Sequence, residues 1–137
     1  MSSLAEDNLR LILSGPFVAV ASDARARVPR GDELVTRPHP RAYGTFARLL
    51  GRYVRDEGVL PLEEAVRRIT ALPAARLGLD DRGVLREGAA ADITIFDPDT
   101  VADRATFTEP HQTSAGIGAV LVNGEPVVED GTHTGRL

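Results

Sequence analysis

Asp23 is the residue whose type and place best suit acid–base chemistry. It follows the short apolar run at residues 17–21 and opens a long loop, which is where α/β folds set their catalytic groups. The same position also suits an Asx turn or a helix cap. His39, between Pro38 and Pro40 in that loop, is a candidate ligand or substrate contact, although a lone loop histidine is more often neither. His111 and His133 lie in turn-like sequence and read as solvated. No His-x-His or His-Glu-x-x-His pairing supplies a self-contained zinc site, and no Gly-x-Ser-x-Gly elbow supports a serine nucleophile. Asp80-Asp81 and Asp97-Pro98-Asp99 resemble a pair of glycosidase carboxylates only by count, and their turn context favours capping.

What the chain lacks excludes more chemistry. With 137 residues and no cysteine, it has no thiolate metal site, no disulfide scaffold and no cysteine nucleophile. All 16 basic residues are arginine, so a Walker-A loop, a Schiff-base lysine and a Ser-Lys pair are absent too. The net charge of −4 is unevenly placed, with nine arginines against seven acids over residues 1–57 and seven against thirteen thereafter. A nucleic-acid surface would add stacking aromatics or a known module. Only Tyr43, Phe46 and Tyr53 lie near the arginines, so solvated arginines or an anionic small molecule explain them better and no nucleic-acid partner is expected. No apolar run approaches the roughly 18 residues of a membrane helix. Two acids stand in MSSLAEDNLR where a signal peptide needs positive charge, so no membrane and a cytoplasmic location are expected.

The elements that must position these residues are legible from spacing. Apolar residues at 4, 5, 9, 12 and 13 predict a helix stopped by Gly15-Pro16, and the unbroken run 17–21 predicts a strand buried on both faces, as in a parallel sheet. Residues 24–39 read as a long aperiodic loop. Phe46, Leu49, Leu50 and Tyr53 predict a helix over 43–56, ended by Gly58. A second helix follows with Pro61 in its first position, Glu63 and Glu64 at its positive end and Arg67 and Arg68 near its negative end. Pro73 breaks it, and a last turn runs to Gly78. The turn-rich stretch 80–83 marks the domain boundary, giving domains at 1–78 and 79–137. Beyond it, 91–96 alternates as a strand with Ile93 and Ile95 on one face, and Asn123-Gly124 joins strands at 117–122 and 125–128 in a hairpin.

These segments together resemble the carboxy-terminal part of the D-aminoacylase, or N-acyl-D-amino-acid deacylase, group within the metal-dependent amidohydrolase superfamily. The residues that carry the likeness are Val20-Ala21-Ser22-Asp23, HPRAYGTFARLLGRYVRDEG at 39–58 and PLEEAVRRITALPAARLGL at 61–79, followed by GVLREGAAADITIFDP at 83–98, TVADRATF at 100–107 and GIGAVLVNGEPVVEDG at 116–131. The resemblance implies an α/β fold: the last strand-helix portion of an amidohydrolase TIM barrel over 1–78, plus the carboxy-terminal strands of a small β-sandwich over 79–137. It implies zinc-dependent hydrolysis of the amide bond of N-acyl-D-amino acids, or of another amide or cyclic imide. Asp23 matches the family's general base, which binds or orients the metal-activated water and is therefore the candidate metal contact. His39 and Arg41 fall near the substrate. The histidines and cysteine that hold the metal in this group have no counterpart here, so the resemblance implies a fragment that binds no zinc and hydrolyses nothing alone. The alternative is a non-catalytic interaction module. Unpaired strand edges predict a homo-oligomer in either case.

Overall fold

Helix signals and apolar spacing build one layer of the molecule. In the computed structural model, which describes residues 5–25, 27 and 31–136, helix α1 spans Glu6–Ser14 and buries Leu13, with Glu6 and Asp7 at its positive end. Leu4, expected on its apolar face, and Pro29 and Arg30 of the loop lie outside the described residues. Helix α2 (Arg41–Arg48) continues into a π-helical stretch, Leu49–Asp56. It starts two residues before the expected point because Pro40 already has helical dihedrals and its carbonyl accepts the N–H groups of Tyr43 and Gly44. Helix α3 (Leu62–Ile69) follows a cap at Pro61, so it begins one residue later than expected, and it carries its acids and arginines at the expected ends. The chain breaks at Thr70, and α4 (Ala71–Leu77) begins two residues ahead of Pro73. Pro73 thus occupies the first turn, where its missing N–H costs no bond. Gly78, at φ 70°, closes α4 in the left-handed conformation.

The expected strand at 17–21 is corrected. Residues 18–23 have no regular secondary structure and form no ladder among the described residues, and Phe17 is 86% exposed. Val18 and Val20 are half-buried while Ala19 and Ala21 are exposed, so burial is one-sided. A buried parallel strand needs neighbours on both edges. Here the described residues give it a single backbone bond, from the Val20 N–H to the Arg68 carbonyl at 3.3 Å. The aperiodic loop also contains a 3-10 turn, Gly31–Val35.

The second half is an antiparallel meander, β1 (Ile93–Phe96), β2 (Ile117–Val122), β3 (Glu125–Glu129) and β4 (Thr132–His133), paired in that order. Asn123 and Gly124, at φ 51° and 84°, make the β2–β3 turn with both residues left-handed, as the hairpin requires. The Asn123 N–H and then Arg82 hold the Asp92 carboxyl below its usual range, which ties β1 to this turn. The shared face of Ile93 and Ile95 is only partly covered, with Ile95 56% exposed, and Phe96, beyond a register shift, reaches the core instead.

The two layers meet at Val101, which is fully buried in a cluster with Leu13, Leu49, Leu50, Tyr53, Leu60 and Ala65. Gly51 stands directly against the Val101 carbonyl, where any Cβ would collide, and the Arg55 guanidinium donates to that carbonyl at 2.8 Å. A carboxylate network clamps the helices from outside: Glu57 accepts from Arg10 at 2.8 Å and from Arg52 at 2.7 Å, and these two cations lower its carboxyl from 4.5 to about 2. Glu64, held by Arg67 and then Arg68, is likewise lowered to about 2. Because both folded values lie below the unfolded one, their stabilisation is complete above pH 4.5 and disappears as pH falls through about 2. The urea midpoint is expected to hold from neutral pH down to 4.5 and then drop. Glu57→Gln should lower the neutral midpoint and lose its difference from the parent near pH 2. A difference between the two proteins that does not change with pH would contradict this.

Candidate active site

The three residues singled out by sequence converge at the start of α2. Asp23 ends the irregular stretch after Phe17 with φ 48°, a left-handed conformation uncommon outside glycine, asparagine and aspartate, and its side chain is 88% exposed. Arg41, the first residue of α2, places Nη2 2.9 Å from Asp23 Oδ2. The Arg41 backbone N–H donates to His39 Nδ1 at 3.1 Å, so the proton of a neutral His39 ring sits on Nε2. His39 in turn meets the edge of Phe107, with ring centroids 4.9 Å apart and planes at 80°. The result is a chain of contacts, Asp23 to Arg41 to His39 to Phe107, with an accessible carboxylate at its open end. An exposed pair of this kind contributes at most about 1 kcal/mol to stability. Its effect is on direction, because it aims the carboxylate of a residue that otherwise projects into solvent.

His111 corrects the expectation of a solvated side chain. Its Nε2–H donates to the Thr36 carbonyl at 2.6 Å, so Nδ1 accepts from the Tyr43 hydroxyl at 3.0 Å. Ser114 donates to the Tyr43 carbonyl at 3.1 Å. These contacts latch the loop that carries Phe107 onto α2 and onto the stretch before it. No local sequence signal marks the latch, since Tyr43 and His111 are 68 residues apart. His133 matches its reading, exposed on β4 with Nδ1 accepting from the Gly135 N–H. Asp97 also matches its turn role: the Asp99 N–H and then the Thr100 hydroxyl lower its carboxyl.

The arginines of the first half are mostly paired. Arg10, Arg41, Arg48, Arg52 and Arg55 each form an ion pair with an acid, which fits a structural role better than an open polyanion surface. No helix among the described residues is long and apolar enough to cross a membrane. Among the described residues no three histidine, aspartate or glutamate side chains converge to hold a metal ion. Zinc takes three or more protein ligands, so the donors present here do not fit a zinc site on their own. A cavity of about 540 Å³ lies elsewhere, between Phe46, Leu50 and Ile69 of the helices and Ile93, Ile117 and Val120 of the sheet. Asp23, His39 and Arg41 do not line it, and the one carboxylate on its mostly apolar wall, Asp92, is engaged by the Asn123 N–H and Arg82. Tyr43→Phe should lower stability by about 1 kcal/mol by removing one partly buried hydrogen bond, and combining it with His111→Ala should cost less than the sum of the two changes. Full additivity in urea melts would show that the latch does not form.

Comparison with known proteins points the same way. The pattern that defines the amidohydrolase family matches residues 8–128. A D-aminoacylase of Alcaligenes xylosoxydans xylosoxydans is 54% identical over 135 residues, covering 96% of this chain and 26% of the relative. An N-acyl-D-glutamate deacylase of the same organism is 60% identical over 122 residues, covering 89% and 24%. Among solved structures, a D-aminoacylase superposes with a TM-score of 0.86 at 46% identity, covering 97% of this chain and 27% of that one. An N-acyl-D-glutamate deacylase from Bordetella bronchiseptica, complexed with zinc and a phosphonate mimic of the tetrahedral intermediate, superposes with a TM-score of 0.80 at 50% identity, covering 90% and 25%. This chain therefore spans about a quarter of the length of the relatives it matches.

Proposed function

Because the chain belongs to the amidohydrolase family, we propose that it forms the part of an N-acyl-D-amino-acid deacylase that carries the proton-transfer residue, Asp23. In this reading residues 1–78 are the last strand-helix portion of a TIM barrel and 79–137 the terminal strands of a β-sandwich. Asp23 takes a proton from water as the water oxygen bonds to the acyl carbon. It then passes that proton to the amide nitrogen as the C–N bond breaks, releasing a carboxylic acid and a free D-amino acid. Arg41 aims the Asp23 carboxylate, and Arg41 and His39 border the substrate. The observation that carries the reading is the accessible Asp23 carboxylate held 2.9 Å from Arg41, in a chain related over nearly its whole length to proteins named as deacylases.

The chain supplies no zinc site of its own, so on this reading it neither retains zinc nor hydrolyses an N-acyl-amino acid by itself, and its setting is cytoplasmic. The decisive experiment replaces the matched quarter of the Alcaligenes D-aminoacylase with this chain and assays release of D-amino acid from N-acetyl-D-amino acids. The chimera should be active, and Asp23→Asn should lower kcat by at least about 100-fold. An active chimera indifferent to Asp23→Asn would refute the assignment. Turnover of a cyclic imide in preference to linear amides would favour the competing substrate class.

The exposed faces of Phe17, Leu11 and Val35, at 86%, 73% and 85%, beside an irregular segment with no ladder partner among the described residues, favour self-association of the isolated chain. Light scattering at low micromolar concentration should report a dimer or larger. A stable monomer would exclude this.

A further inference from the structure

One turn of α3 reaches across the fold to the segment that leads to Asp23. Arg68 Nη1 donates to the Leu13 carbonyl at 2.5 Å, Arg67 Nη2 donates to the Pro16 carbonyl at 3.2 Å, and the Arg68 carbonyl accepts the Val20 N–H at 3.3 Å. These three ties fall at successive points, residues 13, 16 and 20, on the approach to residue 23. Glu64 holds both guanidiniums from one carboxylate: Oε2 accepts from Arg67 Nε at 2.7 Å, and Oε1 accepts from Arg67 Nη2 at 2.8 Å and from Arg68 Nε at 2.7 Å.

The placement is unusual for an ordinary surface ion cluster. Arg68 is only 3% exposed, and its cation is kept out of water by the core rather than displayed to it. A hydrocarbon side chain of like volume would fill that space, but it could not hold the Leu13 carbonyl. Arg67 is 42% exposed at its side chain, so its bond to Pro16 can be removed without opening the core. Beyond the Val20 bond, the described part of the segment has no ladder to fix its direction, and Arg41 touches only the far end, at the carboxylate.

We propose that Glu64, Arg67 and Arg68 are positioning residues for Asp23, fixing the segment 13–20 so that the carboxylate meets the substrate in register; this rests on the deacylase reading above. Displacing a reacting group by about 1 Å lowers rate far more than it lowers binding, so the signature is a loss of kcat at nearly constant KM.

The chimera containing the native chain, with its Asp23→Asn control, decides the deacylase reading first. Within an active chimera, Arg67→Gln and Glu64→Gln should each lower kcat by about tenfold with KM within about twofold and the fraction folded unchanged. Arg68→Lys, which retains one donor for the Leu13 carbonyl, should keep more activity than Arg68→Met. In parallel, hydrogen exchange on the 137-residue chain reads the positioning without any activity. The Val20 amide, the one in residues 17–23 with a backbone hydrogen bond among the described residues, should exchange faster in Glu64→Gln and Arg67→Gln, while the amides of β2 stay as in the parent. Unchanged kcat in both variants of an active chimera would overturn the proposal. So would unchanged exchange at Val20, or acceleration spread evenly over the chain, whether or not the chimera is active.

Discussion

The approach of the α2 extension to the main chain at Val101 is the contact on which the other arrangements depend. Gly51 lies against the Val101 carbonyl with no room for a side chain, and Gly116 crowds the Val101 nitrogen and Cα from the other side. The backbone groups that this burial would orphan are both satisfied. The Val101 N–H donates to the Asp97 carbonyl at 2.9 Å, and its carbonyl accepts from Arg55. Apolar residues from α1, the α2 extension and α3 close around it, so a single core serves both the helices and the sheet. Once Val101 is fixed, the loop after it has little choice of path. It passes over the start of α2, where His111 and Ser114 latch onto Tyr43 and Phe107 meets His39.

Electrostatics follows the same logic of few anchors and many dependents. Glu57 and Glu64 each gather two guanidiniums, and the planar arginine fork suits this sharing because it presents separated donors in fixed directions. The Glu57 cluster joins α1 to the end of the α2 extension, and the Glu64 cluster joins α3 to the segment after α1. Asp23 differs from both of these carboxylates. It is exposed and left-handed, and among the described residues its one ion pair, with Arg41, engages a single oxygen, so its carboxylate is more accessible than those of Glu57 and Glu64. The proton-transfer role proposed for it depends on that difference in access.

Membership in the amidohydrolase family was legible in the sequence, through the Val20-Ala21-Ser22-Asp23 stretch and the HPRAY segment. Local rules were equally readable. Asn123-Gly124 specified its turn because both positions need positive φ, Gly78 ended α4 for the same reason, and the charges of α3 matched the helix dipole. Each depends on residues within a few positions of one another, which is the range over which a sequence states its own conformation.

The run 17–21 shows where that range ends. Its apolar residues predicted a strand, yet a strand is defined by its neighbours, and the described chain supplies only the Arg68 carbonyl. The latch between His111 and Tyr43, the burial of Arg68 and the close fit of Gly51 to Val101 were invisible for a related reason. Each joins residues about 50 to 70 positions apart, and only the packing of the helices on the sheet sets those distances. The sequence by itself determined the hairpin turn, the charge pattern of α3, the glycine that ends α4 and the family. Tertiary structure decided which carbonyl each arginine meets and which way Asp23 points, because those choices depend on chain segments that become neighbours only when the core closes.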